Sequence, residues 1–258
     1  MSAAGKRLRV LVPVTGAFHG RLRVRRSTGE LDTEGLERVL SEPSVRAITL
    51  AKQLQEHGAE LVAVHVDKGG GEDVLREALA HGLDQGILIE GAAGGESDAS
   101  TRAATIADVY VQNGPFDLVI GPAGSEFGGF SGALAAVAGH LDVPCAIGVH
   151  RVAPSEGGGF TVGYGSIFGD YDLEFPAPAV FLAGDVKPGY PSAFGIYDAY
   201  RQRGVLRVKA DQYKIQKALS KRRRIEAVKA EALATEEVDG ATLVRRLRAR
   251  SLIPEGGA

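Results

Sequence analysis

Short apolar runs recur along this chain, and a helix-like stretch separates each from the next. RVLVPV (9–14), ELVAVHV (60–66), GILI (86–89), FDLVIG (116–121) and VPCAIGV (143–149) are too short for buried helices and nearly free of polar residues. Strands that read this way are covered on both faces, the condition of a parallel sheet. The intervening segments supply the cover. Ser41 is an N-cap, Pro43 falls in the first turn and Gly58 is a stop, while Val45, Ile48, Ala51 and Leu54 make one apolar stripe. Residues 72–81, 99–113 and 132–141 read as further helices, the first two closed by Gly82 and Gly114. Strand–helix alternation with short links predicts an α/β fold built on a doubly wound, mostly parallel sheet.

Ligands of such sheets sit beyond the carboxyl ends of the strands. Here those ends are Thr15 and Gly16, then residues 67–71, 91–95 and 121–131, all rich in small residues. Glycine numbers 35 of 258, roughly twice the usual ~7%, and much of it falls in these loops. Outside the repeat, residues 21–33 (RLRVRRSTGELDT) read as an exposed hairpin. Residues 160–164 and 171–175 read as a second hairpin, 179–183 as a further strand and 193–203 as an amphipathic stretch. The tail from Asp211 is charged, carries Arg222, Arg223 and Arg224, and ends in a helix over 241–249. It holds too few large apolar residues for its own core, so it is expected to pack on another subunit.

Composition excludes several classes. A net charge of −2 with 44% hydrophobic residues is not a disordered chain. No uncharged apolar run approaches the ~20 residues needed to span a bilayer, and the opening run reads as too short for a signal peptide. The expected compartment is the cytoplasm. One cysteine, Cys145, excludes an internal disulfide framework and is expected to be a buried, inert thiol. The six histidines lack metal-ligand spacing. His57 and His81 precede helix-stopping glycines, where a cation suits the helix dipole.

Known motifs are mostly missing. There is no GxGxxG at a helix start and no GxxxxGK[ST]. Residues 129–133 (GFSGA) match GxSxG, but they stand about ten residues beyond the strand, where a nucleophile elbow is a tight turn. The better reading of this loop is an anion site at a helix N-terminus, with Glu126 and Ser131 able to meet a ribose or phosphate oxygen. Tyr190, Phe194, Ile196, Tyr197 and Tyr200 cluster after a Pro/Gly loop. They are either core or a docking segment, since aromatics are enriched at interface hot spots.

Four stretches carry a resemblance: RVLVPVTG (9–16), RLRVRRSTGELDT (21–33), DVLREALAHGLDQGILI (73–89), and FDLVIG with its long loop, helix and VP. The third parallels a motif of the form ETxRxALAxGADRGI. Over nearly its whole length the chain resembles the beta subunit of electron transfer flavoproteins. The resemblance implies an adenine nucleotide alpha hydrolase-like fold for residues 1–210, with a hairpin extension, and a C-terminal arm, 211–258, packing on the alpha subunit. It implies an electron carrier rather than an enzyme. Electrons would arrive on FAD, held mostly by the alpha subunit, from flavoprotein dehydrogenases and leave to a quinone reductase.

A structural AMP would meet Pro13, Glu42, Pro43, Ser44, Val45, Val66, Gly121, Pro122, Ala123, Gly124, Ser125, Glu126, Phe127, Gly128, Gly129, Phe130 and Ser131. Phe18 would stand near the flavin, and Ile196 would take the place of a leucine anchor for dehydrogenases. The chain departs from the family's NPF[DC]E, with Glu42 for Asn, Ser44 for Phe and Arg46 for Glu, and GPAGSEF (121–127) stands where the family has its polar GKQAIDDD loop. The other function compatible with the residues is a regulatory domain binding adenine nucleotide without flavin.

Overall fold

The computed structural model describes residues 7–25, 28, 31–67, 71–91, 99–124, 132–165, 169–213, 238–250 and 252. The chain divides into two compact units, Met1–Ile225 and Glu226–Ala258. In chain order the first unit contains β1 (Arg9–Pro13), β2 (Gly16–His19), β3 (Arg23–Val24), β4 (Leu31–Asp32), β5 (Glu37–Leu40), α1 (Glu42–Lys52), β6 (Glu60–Asp67), α2 (Glu72–Ala80), β7 (Gln85–Glu90), α3 (Ala99–Asn113) and β8 (Leu118–Pro122). It continues with α4 (Ala133–Leu141), β9 (Cys145–Val149), β10 (Arg151–Pro154), β11 (Phe160–Tyr164), β12 (Tyr171–Phe175), β13 (Ala179–Ala183), α5 (Ala193–Arg201) and β14 (Val205–Lys209).

Seven of these strands form one sheet, in the order β14-β7-β6-β1-β8-β13-β9. Every pairing in it is parallel. The expected doubly wound α/β sheet is present, with two strands more than the five-fold repeat supplied. β13 inserts between β8 and β9, and β14 adds to the far edge. The expected hairpin of β11 and β12 gains β10 as a third antiparallel strand. The early excursion is two ribbons, β3 with β4 and β2 with β5.

Alternate residues of each strand feed two cores. Val10, Val12, Leu61, Ala63, Leu118, Ile120 and Phe181 face α1, α2 and Ala199 of α5. Leu11, Val62, Val64, Val119, Val180 and Leu182 face α3 and α4, where Ala210 and Tyr213 are also buried. Ile48, Ala51 and Leu54 of the predicted α1 stripe are fully buried. α1 stops earlier than Gly58, at Lys52, because the chain tightens into a 3₁₀ turn, Gln55–His57, before Gly58 turns left-handed at φ 78°.

Two expectations need correction. His81 caps α2 but is buried, and burial with Lys52 nearby pushes its pKa below the usual value, so it does not serve as a cation there. Cys145 is only half-buried, because β9 is an outer strand rather than an inner one. What burial it has still pushes the thiol pKa up. In the second unit, α6 (Gly240–Ala249) begins at Asp239, whose carboxylate accepts the Thr242 N–H at 3.0 Å and is thereby held below the usual range. No described helix is long and apolar enough to cross a membrane. The Arg222 to Arg224 run lies outside the described residues.

α5 lies against α2 through Gly195, where an added Cβ would stand 2.5 Å from the Ala80 carbonyl oxygen. Alanine normally stabilises a helix interior by about 0.8–1 kcal/mol over glycine. At Gly195 the sign should reverse. Gly195→Ala is expected to lower unfolding free energy by about 1–3 kcal/mol, as overpacking does, measured by urea denaturation.

Candidate functional site

The chain winds from β1 out to β6 and β7, then returns to place β8 on the other side of β1. Strand order therefore reverses between β1 and β8, and in sheets of this kind the carboxyl ends at such a reversal are where a ligand crevice lies. Pro13 ends β1, Val66 lies at the end of β6, and Gly121 and Pro122 end β8. Pro13, Gly121 and Pro122 are buried, Val66 and Gly124 are half-buried, and Ala123 is exposed. A Cβ on Gly124 would meet nothing within 4 Å, so this loop borders open space.

A buried hydroxyl network draws the first turn of α1 to the same edge. Thr15 donates its N–H to Ser44 Oγ at 2.9 Å, and Ser41 donates its N–H to the Thr15 carbonyl at 2.9 Å. The three hydroxyls join one another, Thr15 to Ser41 at 2.7 Å and Ser41 to Ser44 at 2.9 Å. Ser41 is the N-cap, as its position predicted, and also accepts from the Ser44 N–H. Ser44 is fully buried, so its side chain belongs to this network rather than to the crevice surface. Glu42 is exposed and pairs with Arg46 at 2.9 Å; Arg46 also pairs with Asp185, just beyond β13. The two carboxylates raise the Arg46 pKa, Glu42 first.

The α4 side of the crevice is closed by backbone. Gly121 lacks a Cβ that would lie 2.3 Å from Leu134 Cδ1, so α4 packs directly on the end of β8. The N-cap of α4 is Gly132, at φ 82°, and among the described residues no side chain caps its first-turn N–H groups. Ser125, Glu126, Phe127, Gly128, Gly129, Phe130 and Ser131 lie outside the described residues.

A second polar group sits where β6 ends. Asp67 is buried and pairs with Arg38 of β5. Buried His65 donates from Nδ1 to the Val14 carbonyl at 2.9 Å. Burial holds its pKa below the usual value, though Val14 and Asp67 pull the other way. Phe18, half-buried on β2, stands opposite Arg38 in the β2–β5 ribbon, and the guanidinium lies 5.4 Å from its ring centroid.

The structure thus brings Pro13, Val66, the start of the 121–124 loop and the first turn of α1 to one sheet edge. Phe18 stands on a ribbon leaving that edge. Ile196 does not join them. It lies on α5, 46% exposed, in a patch with Tyr190 at 91% and Phe194 at 72%. From the sequence, Thr15 and Asp67 stand out only as strand ends, and Arg38 and His65 have no assigned part in the site. The available signal was polar residues at the exits of apolar strands, as in His65-Val66-Asp67.

These features place the chain in the doubly wound α/β class, with its crevice at a strand-order reversal. A family model described as the electron transfer flavoprotein domain matches residues 28–163, just over half of the chain. The electron transfer flavoprotein subunit beta of Bacillus subtilis is 28% identical over 179 residues, covering 68% of this chain and 69% of that protein. The protein of the same name from Syntrophomonas wolfei is 28% identical over 200 residues, covering 76% and 77%. The chain belongs to the electron transfer flavoprotein family, among the beta subunits.

Two outcomes follow from this geometry. Ser44→Ala leaves the buried Thr15 N–H without its acceptor and should cost about 1–3 kcal/mol of stability, read from denaturant titrations. Stability should also fall as pH drops below about 6.5. The unfolded chain protonates His65 and His81 first, because both pKa values are lowered in the fold. Each contributes at most about 1.4 kcal/mol per pH unit until its folded pKa is reached. Glu77, raised chiefly by burial, works in the opposite direction nearer pH 4.5. His65→Gln should flatten the profile below pH 6.5.

Proposed function

We propose that this chain is the beta subunit of a heterodimeric electron transfer flavoprotein, working as an electron carrier in the cytoplasm. It carries electrons from flavoprotein dehydrogenases to a quinone reductase. The observation that carries this reading is the meeting, in a member of this family, of Pro13, Val66, residues 121–124 and the first turn of α1 at one sheet edge. An edge lined by main chain, proline and small side chains suits an adenine base. The first turn of α4, which no described side chain caps, suits a phosphate. These residues fit an AMP, held by Pro13, Val66 and residues 121–131 with the start of α1 alongside.

FAD, when bound, supplies the redox centre; it is held mostly by the alpha subunit. This chain's share is to present a fixed aromatic surface. Phe18 is set by the β2–β5 ribbon and backed by Arg38, which Asp67 holds in place. In this reading residues 1–210 are the nucleotide-binding domain and 211–258 an arm packing on the alpha subunit. The exposed face of α5 is the dock for dehydrogenases, with Ile196 as its anchor.

Co-expression with an alpha subunit should yield a yellow heterodimer holding about one FAD, and acid extraction followed by mass spectrometry should release AMP. A colourless, nucleotide-free but well-folded pair would refute the cofactor reading. Ile196→Ala should change stability by less than ~1 kcal/mol, since the side chain is largely outside the core. It should slow donor-dependent flavin reduction about tenfold for each 1.4 kcal/mol of lost docking energy. Thermal unfolding and stopped-flow reduction measure the two effects.

A further inference from the structure

Ala199 is the α5 residue buried against α2, which leaves Ile196, Tyr197 and Tyr200 turned outward as an aromatic ridge. The ridge has an acidic shoulder. Asp73 and Glu77 of α2 and Glu37 of β5 all act on the Tyr200 hydroxyl. Glu77 is engaged, accepting the Leu40 N–H at 2.5 Å. Asp73 and Glu37 are exposed, and neither has an ion-pair partner among the described residues. Arg76 is a cation that acts on the Tyr200 hydroxyl, and it is already committed. It pairs with Glu72 and donates to the carbonyls of Ala199 and Arg203 at 2.6 and 2.7 Å. Burial, then Asp73, raises the Tyr200 pKa, so its hydroxyl remains a neutral donor on the ridge.

We propose that ridge and shoulder together dock an apolar socket rimmed by lysine or arginine side chains on the electron-donating protein. This rests on the docking reading above and adds the chemistry of the partner. Asp73 and Glu77 are an i,i+4 like-charge pair, which a free helix bears at a cost. Glu37 adds to the repulsion, being felt by both Glu77 and Tyr200. An approaching cation relieves all three carboxylates. A second copy of the same surface would set carboxylates against carboxylates, and an anionic lipid surface would be repelled. A basic rim is therefore the complement, and it acts chiefly on encounter rate and its salt dependence.

The test uses the co-expressed heterodimer and the purified flavoprotein dehydrogenase that reduces it, with the second-order reduction rate followed from low to high ionic strength. The wild-type rate should fall as salt rises. Glu37→Gln with Asp73→Asn should cut the low-salt rate roughly 3–10-fold and flatten the salt slope. Glu37→Lys with Asp73→Lys should invert that slope. Melting temperature and flavin content should match the wild type in both variants. A salt-independent wild-type rate, or charge variants that behave as wild type while Ile196→Ala is slow, would overturn the basic socket and leave the docking reading standing. Normal rates in the charge variants and in Ile196→Ala would overturn both, as would a heterodimer that no dehydrogenase reduces. Self-association of the heterodimer that Tyr200→Ala abolishes would give the ridge to a second copy and overturn the proposal.

Discussion

A parallel strand buried on both faces has nowhere to place a polar side chain except at its ends. β1 is the case on which this fold is built. Val10, Leu11 and Val12 are wholly buried, and β6 and β8 take its backbone on either side. Its chemistry is therefore pushed outward. At the entry, Arg9 pairs with Glu60 at 2.9 Å, and Asp117 accepts the Arg9 N–H at 3.0 Å. At the exit, Thr15 ties the strand to α1 through Ser41 and Ser44. Because strand order reverses here, the exit is where sheets of this kind bind ligands, and the hydroxyl network holds the start of α1 in place beside it. The same rule acts on β6, whose apolar run closes on His65 and Asp67.

Burial on both faces is also what made the sheet legible. A strand that must be apolar throughout announces itself, and the helix over Ala99–Asn113 was readable to the residue. What escaped lacks that signature. β14 reads VLRVK and sits at the sheet edge with Leu206 exposed, so Arg207 and Lys209 interrupt its pattern without harm. β2 and β5 are four residues each and pair across a long excursion, giving no periodicity to count. The candidate site divides the same way. Strand ends and the Ser41 cap could be read locally. The pairing of Arg38 with Asp67, and the sharing of Ser44 between α1 and Thr15, join residues 29 apart that only the tertiary fold brings together.

Arginine does much of the joining on the α2 face. Arg76 reaches the carbonyls at the end of α5, Arg203 pairs with Asp198 at 2.6 Å, and Arg207 links β14 to Glu72 and Glu90. Exposed pairs of this kind contribute little each. Arg76 differs because it satisfies helix-end carbonyls that would otherwise lack partners. Its planar fork can serve Glu72 and two carbonyls at once, which a lysine could not. The aromatic ridge is thereby carried on a helix fixed to the sheet's own cover, and its orientation follows that of α2.

The insertion of β13 between β8 and β9 has a temporal side. Among the described residues β9 is bonded in the sheet to β13 alone, yet β13 follows it in the chain by the length of the three-stranded excursion. A ribosome adding 5–20 residues per second leaves β9 without its neighbour for roughly 2–7 seconds. During that interval the strand's apolar residues and open backbone are available to any other edge. The excursion between them is thus also a delay line: β10, β11 and β12 can pair locally and occupy the nascent chain until the strand that joins β9 to the sheet emerges.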